Sequence, residues 1–200
     1  MKKVCFVVSH LGSGSSDLVE VLNGNPRCSI ESSSVKYSNP DDLNWLFSKQ
    51  HKCRDSSAIY GDHILFNHSF SCRALYESCK FIYVIRPARQ SLNEISTLKD
   101  LGLKGTFAAR HYGFRLRRIC EMARKTPGAL MLTWDDLASG KAFPSIEDYL
   151  GLRSPLKTEH RHFTLIPKDD FDESLVSECE DAYERYYYYL SNLKIKRIPF

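Results

Sequence analysis

Residues 8–26 read "VSHLGSGSSDLVEVLNGNP" and follow the apolar run Val4–Val8. The segment 2–8, "KKVCFVV", is short, apolar and β-branched, the pattern of a buried strand. A Gly/Ser turn at 9–14 follows it. Residues 15–23, "SSDLVEVLN", then place apolar side chains at 18, 19, 21 and 22. That spacing predicts a short helix, with Ser15 or Ser16 as N-cap, Asp17 in its first turn and "GNP" at 24–26 as its stop. A glycine turn between a strand and a helix start is suited to anions. The first backbone N–H groups of a helix lack intrahelical partners, and the helix end carries roughly half a positive charge. Glycine lets the backbone approach closely, so Gly12, Ser13, Gly14, Ser15 and Ser16 together form a candidate phosphate cradle.

Two familiar phosphate loops fit poorly. The nucleoside-triphosphatase loop needs G-x-x-x-x-G-K-[ST], and no Lys occurs between Lys3 and Lys36. The dinucleotide fingerprint needs G-x-G-x-x-G, and its third glycine position is Asp17.

Outward from this stretch, strand and helix patterns alternate. "NPDDLNWLF" at 39–47 starts a helix, and "AIYGDHILFNHS" at 58–69 holds a strand around 63–67. Residues 70–79 suit a helix. "KFIYVIR" at 80–86 is the clearest strand, and "SLNEISTLKDLG" at 91–102 reads as a helix stopped by Gly102. A long amphipathic helix covers 106–125, a strand 129–134, a short helix 143–152 and a last helix 171–193. Arg110, Arg117 and Arg124 recur every seven residues on the long helix and share a solvated basic face. Such alternation implies an α/β fold, one domain over 1–200, with a mostly parallel central sheet flanked by helices. Ligands of these sheets bind at the carboxyl ends of the strands, where the loop at 9–14 and Arg86 both emerge.

The chain has 200 residues, 42% of them hydrophobic and 26% charged, as in ordinary globular proteins. A net charge of +4 suits an anionic ligand and is too weak to point to nucleic acid. Seven cysteines lie scattered without C-x-x-C or a zinc spacing, which is usage typical of a reducing compartment. No signal-peptide layout opens the chain, and no apolar run approaches the roughly 20 residues that span a bilayer. Cytoplasmic location, no metal and no membrane are the expectations.

Three segments in order resemble the sulfotransferases that use 3′-phosphoadenosine-5′-phosphosulfate (PAPS), a family with a P-loop-like fold. "LGSGSS" at 11–16 is similar to its P-[RK]-S-G-[ST]-[ST] motif except at the cation. "YVIRPARQSLN" at 83–93 is similar to Y-V-x-R-[ND]-P-x-x-x-x-x-S if one residue is missing after Arg86. "LTWDDLASGKAFPSIEDYLGL" at 132–152 resembles the family's Y-E-D-L segment and the following helix. The resemblance implies that residues 12–16 hold the 5′-phosphosulfate and that Arg86 binds the 3′-phosphate. The family's serine falls on Asn93 with the gap and on Glu94 without it. Asn93 donates to phosphate whereas Glu94 repels it, so the gapped match is preferred. Trp134 stands at the family's tyrosine and lies either near the adenine or in the core.

The acceptor, a hydroxyl or amine on a small molecule or glycan, must lose a proton, and cytosolic members use a histidine before the second-motif strand. "ILFNHSF" puts His68 there, 13 residues before Phe81, with His63 the nearest substitute. Other branches use a glutamate after the first helix, matched in spacing by Glu31. Gly12 stands where the family has Lys or Arg; Lys36, Arg89 and Arg161 are the candidate replacements. Two other readings stand beside a PAPS-dependent sulfotransferase: a catalytically weak binder of PAPS or its desulfated product PAP, and a P-loop kinase-like enzyme.

Overall fold

The run Lys3–Ser9 forms strand β1, and Ser15–Asn23 forms helix α1. In chain order there follow β2 (Cys28–Glu31), a 3₁₀ turn at Pro40–Asp42 leading into α2 (Leu43–Ser48), β3 (Ile59–Ile64) and α3 (Arg73–Ser78). Then come β4 (Lys80–Ile85), α4 (Ala88–Thr97), α5 (Gly105–Ala123) and β5 (Leu130–Thr133). The chain continues through α6 (Trp134–Ala138), α7 (Ala142–Leu150), α8 (Glu173–Asn192) and the short β6 (Lys196–Arg197). This computed structural model describes residues 3–33, 35–48, 57–65, 70, 72–97, 105–157, 172–193 and 196–197.

The strands form one sheet in the order β2-β3-β1-β4-β5-β6, and every pairing is parallel. The α/β architecture with a parallel sheet is thus as the alternation predicts. Each inner strand is buried on both faces, which is why β1 and β4 are continuous apolar runs. Phe6, Val8, Tyr83 and Ile85 face one way, toward Tyr112 and Leu116 of α5 and Leu190 of α8. Cys5, Val7, Ile82 and Val84 face the other way, toward Leu18 and Leu22 of α1 and Ile146 and Leu150 of α7.

Several elements depart from expectation. The strand expected at 63–67 runs instead from Ile59 to Ile64, set by its register with β1, from Lys3↔Ile59 to Val8↔Ile64. Residues 66–69 lie outside the described residues, as does the expected helix stop at Gly102. Strand β2 falls in a stretch with no readable pattern and pairs with β3, Ile30 opposite Gly61. Neither Ser15 nor Ser16 caps α1. The cap is Gly14, left-handed at φ 77°, and no side chain caps the helix. Trp134 does not end a strand but opens α6, whose cap is a reciprocal pair. Thr133 Oγ accepts from the Asp136 N–H at 3.2 Å, and Asp136 accepts from the Thr133 N–H at 3.0 Å. In the last helix Tyr186 and Tyr187 pack on the core, and Tyr188 is exposed.

Candidate functional site

Strand β1 hands the chain through α1 to β2 on one side of the sheet order. Strand β4 hands it through α4 and α5 to β5 on the other. Two adjacent parallel strands whose connections diverge open a crevice at their carboxyl ends, the position where such folds bind ligands. The loop 10–14 lies at one lip and Arg86 at the other.

The loop is shaped by two left-handed glycines, Gly12 at φ 69° and Gly14 at φ 77°. A Cβ on Gly12 would come 2.5 Å from the carbonyl oxygen of Ser91, in the first turns of α4. No larger side chain fits there, so the cation that the resemblance leads one to expect is sterically excluded. A Cβ on Gly14 would lie 3.0 Å from Cη2 of Trp134 and closer still to Cζ3 and Cε3. Trp134, 5% exposed, therefore covers the loop as part of the core.

The serine hydroxyls divide. Ser13 Oγ donates to Ser15 Oγ at 3.0 Å, and Ser15 Oγ lies 2.7 Å from His63 Nε2 and 2.6 Å from Ser9 Oγ. This buried chain turns the hydroxyls of Ser13 and Ser15 inward, while Ser16 is exposed. The N-cap, Gly14, has no side chain to offer; Ser15 N–H donates to Ser13 Oγ at 3.3 Å and Asp17 N–H to the Gly14 carbonyl at 3.2 Å, and the N–H end of α1 faces the crevice.

Arg86 is 2% exposed. Its Nε donates to Gln90 Oε1 at 3.1 Å, and its Nη1 donates to the Gly12 carbonyl at 3.2 Å and to the Glu94 carboxylate. The guanidinium lies 4.1 Å above the Trp134 ring, a cation–π contact. A cation thus does reach the Gly12 turn, and it comes from the end of β4. Burial lowers the Arg86 pKa, opposed chiefly by Glu94 and then by Asp135 and Asp17; an arginine stays charged. Burial raises the Glu94 pKa, with Arg86 opposing and Asp17 adding.

His10 joins the two lips. Its Nδ1 is 2.8 Å from the Leu11 carbonyl, so that nitrogen carries the proton; its Nε2 accepts from the Arg86 N–H at 3.1 Å. Burial holds its pKa down to about 3. Tyr112 packs edge-on against this ring and donates to the Arg86 carbonyl at 2.7 Å.

The histidine beside the loop is His63, at the carboxyl half of β3 and 4% exposed. Burial, then the nearby Arg115, lowers its pKa to about 4, leaving it neutral with Nε2 bonded to the hydroxyls of Ser15 at 2.7 Å and Ser9 at 3.2 Å. His68 and Arg161 lie outside the described residues. Glu31 ends β2 opposite Asp62, which is itself level with Phe6 of β1. It is therefore two strands across and three residues short of Ser9, about 10 Å in each direction. Asn93 is half-buried on α4, one residue from the carboxylate that reaches Arg86. Lys36 is exposed beyond β2. Arg89 is engaged with α8, on Glu173 at 2.7 Å and Glu180 at 3.4 Å.

Arg115 stands outside the seven-residue repeat of arginines and is buried. Arg115, 1% exposed, donates through Nε to the carbonyls of Ser9 at 3.0 Å and Leu65 at 2.8 Å, and through Nη2 to Ile64 at 2.7 Å. It ties the carboxyl ends of β1 and β3 together under the loop, and burial lowers its pKa to about 10. Its place on the inward face of α5, two residues before Arg117, was the available signal.

No helix among the described residues is long and apolar enough to cross a membrane. No protein-family model matches the sequence, and no curated protein matches it either. Among solved structures, a sulfotransferase from Alicyclobacillus acidocaldarius is similar over 97% of this chain and 96% of its own, with a TM-score of 0.55 and 12% identity. Mouse sulfotransferase SULT7A1 complexed with PAP aligns over 91% of this chain and 64% of its own, with a TM-score of 0.42 and 17% identity. The chain has the fold of the Alicyclobacillus sulfotransferase from end to end, a likeness of architecture.

Proposed function

We propose that the crevice between β1 and β4 binds PAPS, and that the protein transfers its sulfuryl group to a hydroxyl or amine of a small-molecule or glycan acceptor. One observation carries the reading. An uncapped helix start with a glycine turn and a buried arginine meet within 3.2 Å at the ends of two adjacent parallel strands. That is a place for an anion held from two sides, and it occurs on a sulfotransferase fold.

In this reading the loop 12–16 holds the 5′-phosphosulfate and Arg86 the 3′-phosphate, with Asn93 a neutral donor nearby and Trp134 backing both. The acceptor oxygen or nitrogen attacks sulfur. A bond to sulfur forms, the bond from sulfur to the bridging phosphate oxygen breaks, and PAP leaves. The acceptor's proton goes to His68, with His63, whose Nε2 lies 2.7 Å from Ser15 Oγ under the loop, the nearest substitute. Glu31 is the alternative base. Charge gathering on the leaving phosphate meets the α1 terminus. Six free thiols among the described cysteines favour a cytoplasmic setting.

A second reading, binding without efficient turnover, is favoured by the crowding at Gly12 that bars a loop cation. Calorimetry with PAP, ADP and ATP, followed by a labelled transfer assay with mixed acceptors, separates the readings. Tight binding that needs the 3′-phosphate, with transfer abolished by His68→Ala while nucleotide binding is spared, is the expected result; transfer kept by His68→Ala and lost in His63→Ala moves the base to His63. Binding of PAP without transfer to any acceptor gives the second reading, and a preference for ATP overturns both in favour of kinase-like chemistry.

A further inference from the structure

Residues 86, 90 and 94 are spaced by four. Gln90 and Glu94 therefore share a face of α4, one turn apart, and both turn back to the guanidinium at the end of β4. Resting on the nucleotide reading above, we propose that the Glu94 carboxylate, bound to Arg86, is an internal competitor for the 3′-phosphate and selects among nucleotides by their 3′ substituent.

A carboxylate and a phosphate use the same guanidinium donors, with the same charge sign and similar geometry. Arg86 already has its Nη1 on Glu94 and the Gly12 carbonyl and its Nε on Gln90, with Trp134 covering one face. A 3′-phosphate reaches it only when Glu94 moves away or loses its charge. The surroundings make a second anion costly. Asp135 of α6 and Asp17 of α1 add negative charge near Arg86, which is already paired with Glu94. Burial holds His10, on the Arg86 N–H, neutral and the Tyr112 hydroxyl, on the Arg86 carbonyl, protonated, so neither adds charge. A nucleotide with a free 3′-hydroxyl meets none of this, because a hydroxyl donates to the Glu94 carboxylate and leaves the ion pair intact.

Protonation clears the position without moving the side chain. Burial already raises the Glu94 pKa, and the phosphate's own charge raises it further. Binding of a 3′-phosphate then takes up a proton, while binding of a 3′-hydroxyl nucleotide does not. With linkage complete, affinity for the former falls about tenfold for each unit rise in pH.

The test measures dissociation constants of PAP and ADP by calorimetry from pH 5.5 to 8 for the wild type, Glu94→Gln and Glu94→Ser. At pH 8 both variants are expected to bind PAP roughly 10- to 100-fold more tightly than the wild type, the worth of one charge-assisted bond. Their ADP affinity should not rise, and should fall by no more than about tenfold, since the 3′-hydroxyl loses only a hydrogen bond to the carboxylate. The PAP slope against pH should be steeper in the wild type than in the variants, the difference removing the phosphate's own titration. PAP affinity and slope unchanged in both variants overturn the role of Glu94 while leaving the nucleotide reading intact. No PAP binding by the wild type or either variant overturns both.

Discussion

Replacing Gly14 by Ala tests how the loop is held. The backbone there is left-handed, which costs an L-residue about 1–2 kcal/mol. The added methyl also falls within the Trp134 ring, 3.0 Å from Cη2 and nearer to two other ring atoms. Trp134 is 5% exposed and has Arg86 against its face, so it cannot swing aside without disturbing the core. Overpacking of that kind costs about 1–3 kcal/mol. The two effects give a loss of about 2–5 kcal/mol for Gly14→Ala. In a Trp134→Leu background the ring is gone and only the backbone cost of about 1–2 kcal/mol remains. The double-mutant cycle should therefore show a favourable coupling of about 1–3 kcal/mol. Urea unfolding followed by circular dichroism, with equal m-values across the four proteins, measures it. Equal losses for Gly14→Ala in both backgrounds would mean that the indole does not occupy the space over the glycine, and the packing account of the loop would be wrong.

Gly12→Lys, which restores the sulfotransferase motif on paper, should lower stability by about 2 kcal/mol or more and gain no nucleotide affinity, because the Ser91 carbonyl stands 2.5 Å from its Cβ; a rise in affinity for PAP at unchanged melting temperature would contradict this. His10 and His63 have folded pKa values of about 3 and 4, below their ordinary 6.5, so the unfolded chain takes up protons first as the pH falls. Stability is therefore full above about pH 6.5 and declines toward pH 4, with about 2 kcal/mol lost per histidine at pH 5; melts at pH 7 and 5 measure it, and His63→Gln should halve the slope. Arg115→Leu strips donors from three carbonyls at the ends of β1 and β3 and should cost about 3 kcal/mol or more, with Arg115→Lys intermediate by the same thermal melts. Asp62→Asn puts an amide where the carboxylate accepts from the Ser33 N–H at 2.9 Å, the His63 N–H at 2.9 Å and the Tyr37 hydroxyl at 2.8 Å. A loss of about 2 kcal/mol and faster amide exchange at Ser33 are expected, and unchanged exchange would show that the carboxylate does not pin that turn.

What was legible in the sequence follows physical lines. Strands β1, β4 and β5 stood out because strands buried on both faces must be apolar throughout, and α1 and α7 because their glycine stops follow amphipathic runs. Strand β3 was misplaced because Gly61, Asp62 and His63 interrupt its apolar run. Each of the two polar residues is satisfied by partners distant in sequence, Asp62 by Ser33 and Tyr37 and His63 by Ser15. Strand β2 carries a single large aliphatic, Ile30, and its identity comes only from lying beside β3. At the site, the loop and Arg86 were brought to one place by topology that alternation alone implies. The partner of Arg86 was not foreseen, because the gapped match placed Asn93 there. Chain geometry obeys the helix period rather than a motif, and residue 94, two turns of four beyond 86, is the one that returns to the guanidinium.

The imidazole of His10 has a consequence for any ligand that spans the crevice. One nitrogen is bonded to the turn at Leu11 and the other to the amide at Arg86, so at this point a single ring and two hydrogen bonds set the spacing of the lips. A flexible two-site receptor adapts its jaws to the guest. Here the jaws behave as a caliper locked at one setting, and a guest whose charges sit at another spacing must bend to fit or go elsewhere.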